Sequence, residues 1–95
     1  MMQMVQDKVK FFKALGSETR LRIIKYLLEN ERCACEFESM VDRDQTTISR
    51  HLKVLTEAGI LEKERDGKNV VYKIENEDLK DTFRELGIDK MKTCC

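Results

Sequence analysis

Apolar side chains recur along this chain in two rhythms. A helical one, with steps of three and four residues, runs through most of its length, and an alternating one occupies a single stretch. Val5, Val9 and Phe12 predict a first amphipathic helix with Lys8, Lys10 and Lys13 largely outside, ending near Gly16. Ser17 can cap a second helix whose core residues are Leu21, Ile24, Leu27 and Leu28. Cys35 to Val41 predicts a short helix with Phe37, Met40 and Val41 inward, and Asp42 and Arg43 form a tight turn. Asp44 then caps a longer helix in which Ile48, Leu52, Leu55 and Ala58 share the inner face before Gly59 stops it. Next comes the alternation: Leu61, Lys63 and Arg65 against Glu62 and Glu64, a turn at Asp66-Gly67, and a returning strand marked by Val70, Tyr72 and Ile74. Asn76 can cap a last helix with Leu79, Phe83 and Leu86 on one face, closed by Gly87.

A short helix, a tight turn, a longer helix and a hairpin, in that order, are the parts of a winged helix-turn-helix. The expected fold is α+β and mostly α, with about five helices and a two-stranded β-wing. The 95 residues are read as one DNA-binding domain, 1–95, whose segment 88–95 is a thiol-bearing C-terminal tail. A chain so small buries only about 60 to 65% of its unfolded surface, and the first and last helices need something to cover them. A homodimer pairing these ends is expected. It would set two long helices about one DNA turn apart, roughly 34 Å, so the operator would be an inverted repeat of double-stranded DNA.

On the long helix, Thr46, Ser49, Arg50 and Lys53 fall within roughly 80° of the point opposite the apolar face. Short hydroxyls among Arg and Lys suit a major groove, where Arg takes guanine bidentately, Thr meets a thymine methyl, and Lys and Ser hold phosphates. The bland alternative is an ordinary solvated helix face. The wing tip carries Arg65, Lys68 and Asn69, which could reach a phosphate or the minor groove, or simply keep an edge hairpin soluble. Eighteen basic and eighteen acidic residues cancel, so no bulk positive field drives indiscriminate binding. Local charge must serve: from Gln45 to Lys73, six cations (Arg50, Lys53, Lys63, Arg65, Lys68, Lys73) face four anions (Glu57, Glu62, Glu64, Asp66).

No stretch approaches the roughly 18 apolar residues of a membrane span, and the opening MMQMVQDKVK lacks a signal-peptide core, so a cytoplasmic protein without membrane contact is expected. There the four cysteines would be mainly reduced, favouring metal or redox roles over a disulfide frame. They form two pairs, Cys33 with Cys35 and Cys94 with Cys95. Thiolates are soft ligands for arsenic(III), antimony(III), cadmium, lead or zinc. The alternatives are two small core residues for the first pair and an idle tail for the second. No phosphate loop, acid/base pair or activated nucleophile occurs, so no enzyme is expected. His51, the single histidine, lies at the border of the apolar face with no acidic residue placed to orient it as a base.

In order along the chain, Leu15-Gly16-Ser17-Glu18-Thr19-Arg20-Leu21-Arg22-Ile23, the box Cys33-Ala34-Cys35, the run Thr47-Ile48-Ser49-Arg50-His51-Leu52 with Leu55, Ala58, Gly59 and Leu61, and the wing from Arg65 to Tyr72 resemble the arsenic-responsive repressor family, also called ArsR/SmtB. The resemblance covers nearly the whole chain. It implies a winged-helix homodimer, held by its first and last helices, that represses when ligand-free and leaves its operator on binding a metal or metalloid ion. By position it makes Thr46, Thr47, Ser49, Arg50 and His51 the DNA readers and Arg65 and Lys68 the wing contacts. Two departures matter. Members that bind arsenite through this box alone carry a third cysteine three positions after the second, where this chain has Glu38. Members with a zinc or nickel site on the last helix use histidines there, and Glu77 to Leu86 contains none. The expectation is therefore that Cys33 and Cys35 give two ligands and Cys94 or Cys95 a third, from the same or the partner subunit. Arsenic(III) is the favoured inducer, with cadmium, lead or zinc possible. The competing expectations are a redox-sensing repressor that closes a disulfide between Cys33 or Cys35 and the tail, and a protein-interaction module whose thiols buffer metal.

Overall fold

The computed structural model describes residues 2–41 and 44–90. Five α-helices, α1 (Met2–Leu15), α2 (Glu18–Glu29), α3 (Phe37–Val41), α4 (Gln45–Glu57) and α5 (Glu77–Glu85), surround a small antiparallel sheet of β1 (Arg32–Cys33), β2 (Leu61–Asp66) and β3 (Asn69–Ile74). The winged helix-turn-helix is present. Its turn at Asp42 and Arg43 lies outside the described residues.

Two of the three expected caps act as their residue types require, whereas Asp44 stands at the N-cap of α4 without a side-chain cap hydrogen bond. The Ser17 hydroxyl accepts the Arg20 amide at 3.4 Å, and Asn76 Oδ1 accepts the Leu79 amide at 2.9 Å, each satisfying a donor that a helix start leaves open. Gly59 (φ 78°) ends α4 in the left-handed region that a side chain would strain, and Gly67 (φ 65°) does the same in the wing turn.

The core is one cluster: Ile23, Ile24 and Leu27 of α2, Phe37 and Val41 of α3, Ile48, Leu52 and Leu55 of α4, Leu61 and Ile74 at the base of the wing, and Phe83 of α5. Phe11 stacks on Phe83 with ring centroids 6.4 Å apart, which ties the first helix to the last. The inner faces of α3 and α4 are those the periodicity predicts.

The terminal helices differ from expectation. Val9 is 47% exposed and Phe12 65%, and α1 instead turns Phe11, Ala14 and Leu15 to the core. Leu86 is 64% exposed, its inward place taken by Phe83 and Ile88. Wheel reasoning places Val9, Phe12 and Leu86 inside because it counts apolar residues without knowing that α1 has two apolar sides. On α2, Ile23 is fully buried beside Ile24, and Leu21 is half-buried. Residues 88–90, expected in the tail, form a 3₁₀ turn that buries Ile88.

The sheet has one strand more than predicted. Its order is β1-β3-β2, with Arg32 opposite Tyr72 and Cys33 opposite Val71. The expected helix from Cys35 is also divided: Ala34–Glu36 is a 3₁₀ turn and α3 begins at Phe37. Among the described residues, no helix is long and apolar enough to cross a membrane.

Candidate nucleic-acid interface and thiol pair

Burial of Ile48, Leu52 and Leu55 fixes which side of α4 remains outside. Thr46, Ser49, Arg50 and Lys53 are all exposed on it, while Thr47 and His51 are half-buried at its borders. The Thr47 hydroxyl is engaged locally: its hydrogen bond to Asp44 holds that carboxylate below the usual carboxylate range. That bond secures the first turn of α4 where the macrodipole is positive, so Thr47 sets the helix start as well as bordering the outer face. No such partner holds Arg50 or Lys53 in any described ion pair.

Arg65 and Lys68 are exposed near the wing tip, and the same six ion pairs leave both out. Lys73 lies 3.9 Å from Glu64, which partly neutralises the wing's middle. Arg65, Glu64, Val71 and Glu31 line one cleft, so the wing arginine stands beside the start of β1. The hairpin register runs from Leu61 opposite Ile74 to Asp66 opposite Asn69, and its base packs on α4. The exposed cations of α4 and the wing, Arg50, Lys53, Lys63, Arg65 and Lys68, are therefore displayed on elements braced by the same core.

Cys33 and Cys35 stand together at the entrance to the helix-turn-helix. Their sulfurs are 2.8 Å apart, with Cys33 half-buried and Cys35 exposed. The turn between them, one strand residue followed by a 3₁₀ step, aims both side chains the same way. Their shared hydrogen bond pushes the Cys35 thiol above its ordinary value, and burial and the negative charges of Cys33 and Glu36 add to the shift. The donor chemistry fits a soft ion, since two sulfurs converge with solvent access. Among the described residues no third ligand joins them. Cys94 and Cys95 lie outside the described residues.

One structural residue went unnoticed in the sequence. Arg32 donates from Nε to the Tyr26 carbonyl at 3.2 Å, pairs with Glu29 at 3.1 Å, and sits 5.8 Å over the Tyr26 ring. Tyr26 in turn donates its hydroxyl to the Met40 carbonyl at 3.3 Å. Arg32 thus joins β1 to α2 and, through Tyr26, to α3. An arginine beside a cysteine in a two-residue strand carries no periodic signal that could have marked it.

A model of bacterial regulatory proteins of the arsR family matches residues 17–63, from the start of α2 into β2. An uncharacterised HTH-type transcriptional regulator of Methanocaldococcus jannaschii is 34% identical over 84 residues, 87% of this chain and 94% of that protein. The chain belongs to the arsR family. Other relatives in the family carry names that state a response. The cadmium resistance transcriptional regulatory protein CadC of Listeria innocua is 38% identical over 80 residues, 83% of this chain and 66% of that protein. The arsenical resistance operon repressor of Escherichia coli is 42% identical over 67 residues, 70% of this chain and 57% of that protein. The chain therefore spans no more than about two thirds of either resistance regulator. Among solved structures, the homodimeric winged helix-turn-helix DNA-binding domain of a possible ArsR-family regulator from Mycobacterium bovis superposes with a TM-score of 0.85 at 26% identity, covering 92% of this chain and 81% of that one. ArsR-family proteins are regulators of transcription and not enzymes.

Proposed function

We propose that this chain is a homodimeric transcriptional repressor that holds an inverted-repeat operator and releases it when a soft ion binds its thiols. Residues 1–95 act as one DNA-binding domain with a thiol-bearing end. Thr46, Thr47, Ser49, Arg50, His51 and Lys53 face the major groove, and Arg65 and Lys68 reach the flanking backbone. Cys33 and Cys35 supply two ligands and Cys94 or Cys95 a third. The observation that carries the reading is the 2.8 Å approach of two accessible sulfurs immediately before α3. The names of the cadmium and arsenical relatives support the class of inducer. Arsenic(III) is the first candidate, with cadmium, lead and zinc as the others, and the compartment is the cytoplasm.

Thermodynamic linkage fixes the form of the mechanism: whatever factor the ion removes from DNA affinity, DNA removes from ion affinity. The test is a titration of the protein on a duplex from its own upstream region, followed by fluorescence anisotropy. Arsenite or cadmium should release the duplex, and oxidant alone should not. Replacing Cys94 and Cys95 together should weaken ion binding, and replacing Cys33 should abolish release. A variant lacking all four thiols that is still displaced by the same ion would overturn the reading.

A further inference from the structure

Release of DNA by thiol occupancy, as proposed, makes no use of β1 or of the cluster around Arg32, yet β1 joins the thiol pair to the wing and the cluster ties β1 to α2 and α3. β1 is a strand of two residues at the sheet edge, and among the described residues its ladder partner is β3. Cys33 lies opposite Val71, which lies opposite Glu64, and the next rung toward the wing tip sets Arg65 opposite Val70. The wing arginine is therefore one rung along and two strand spacings across from Cys33, roughly 10 Å, with β3 between them. Glu31, the residue before β1, lines one cleft with Glu64, Arg65 and Val71. On the other side Arg32 is held by the Tyr26 carbonyl and by Glu29.

We propose that β1 is a lever: when one atom bridges Cys33 and Cys35, the β1–β3 pairing shifts and Arg65 turns from phosphate toward Glu31 and Glu64, so that the wing reports occupancy of the thiols. The proposal rests on the soft-ion reading for its natural trigger. Bridging replaces the hydrogen bond between the two sulfurs by two bonds of about 2.3 Å to one atom, so that atom sets their spacing and the backbone on either side must accommodate it. The movement has two possible outlets. Cys35 leads into α3, which is anchored by the fully buried Phe37, whereas Cys33 is held by a ladder of two rungs at a sheet edge. The weaker attachment yields first.

Phenylarsine oxide tests the lever without relying on any natural inducer. Its arsenic bonds both sulfurs, its oxygen leaves as water with the two thiol protons, and no electrons are exchanged. The protein is the full chain carrying Cys94→Ser and Cys95→Ser, so that only the Cys33–Cys35 pair can be bridged. Bridging, counted by mass, should lower hydrogen-exchange protection of the Val71 and Tyr72 amides. It should also weaken binding to the upstream duplex about tenfold. With Arg65→Ala and Lys68→Ala added, affinity before bridging is already lower, and bridging should change it by less than about twofold. Both side chains are exposed, and thermal unfolding of this variant should match the parent. Unchanged protection in β3, an equal loss of affinity with and without the wing cations, or failure of the reagent to bridge the pair would each overturn the lever. A parent that ignores cadmium and arsenite while the bridged protein loses DNA defeats the soft-ion reading and leaves the lever standing. A parent that responds to the ions while β3 stays protected on bridging defeats the lever alone.

Discussion

Cys33 and Cys35 are joined by a hydrogen bond, and this sets how the site must respond to pH. The hydrogen bond from one sulfur to the other stabilises the thiol form and raises Cys35 above its ordinary value. A thiol with a raised value is protonated at neutral pH, and an ion must displace that proton to bind. The sign follows: affinity is weakest in acid, climbs as pH rises toward the raised value, and levels off only above it. We expect cadmium affinity to increase between about pH 6 and pH 8 by about tenfold per pH unit for each proton displaced. Isothermal titration in buffers of different ionisation heat checks this by counting protons released. A flat profile would mean that binding displaces no thiol proton. Glu36, whose charge adds to the shift, gives a second handle, because Glu36→Gln should move the profile toward lower pH.

At the scale of elements, α4 separates stability from recognition by its two faces. Leu52 is fully buried, so Leu52→Ala should cost about 2–5 kcal/mol, seen as a lower midpoint in chemical unfolding. Arg50 is exposed with no described ion pair, so Arg50→Ala should leave that midpoint alone and instead cost about 1–3 kcal/mol in discriminating the operator from scrambled duplex. Equal loss on both duplexes would make Arg50 a phosphate contact. Both faces were legible in the sequence, because Ile48, Leu52 and Leu55 recur with the helical period and Gly59 marks where it stops. The hairpin was legible for the same reason, with Asp66-Gly67 between two alternating runs. β1 was not, since two residues have no period and only the partner strand defines them. α1 was half legible: its length and end at Gly16 follow from composition, but Val9 and Phe12 lie at the same spacing as Phe11, Ala14 and Leu15, and only packing against α2 and Phe83 selects the side. The thiol pair was legible as a motif, whereas the sulfur separation depends on a 3₁₀ turn that the sequence reads as α-helix.

At the scale of the whole molecule, the large apolar side chains left exposed among the described residues, Val9, Phe12 and Leu86, all belong to its first and last helical segments. The Phe11–Phe83 stack binds those segments together, so the residues rejected by the core sit on a joined pair of elements. Lys8 and Lys13 flank Val9 and Phe12 in one shallow groove, a polar rim around an apolar centre of the kind that partners cover. If a second copy covers it, Phe12→Glu should place a charge in the interface while leaving the monomer's core untouched, as Phe12 is 65% exposed. Sedimentation should then show a monomer at concentrations where the parent is a dimer, with an unchanged helical spectrum. Because the second half-site is bound intramolecularly once the first is docked, losing the dimer should lower affinity for the full operator by about 10²- to 10⁴-fold and leave affinity for an isolated half-site nearly the same. A variant that remains dimeric would show that the two copies meet elsewhere. The spacing of the recognition helices would then no longer follow from the terminal segments, and the expected one-turn separation of half-sites would fail with it.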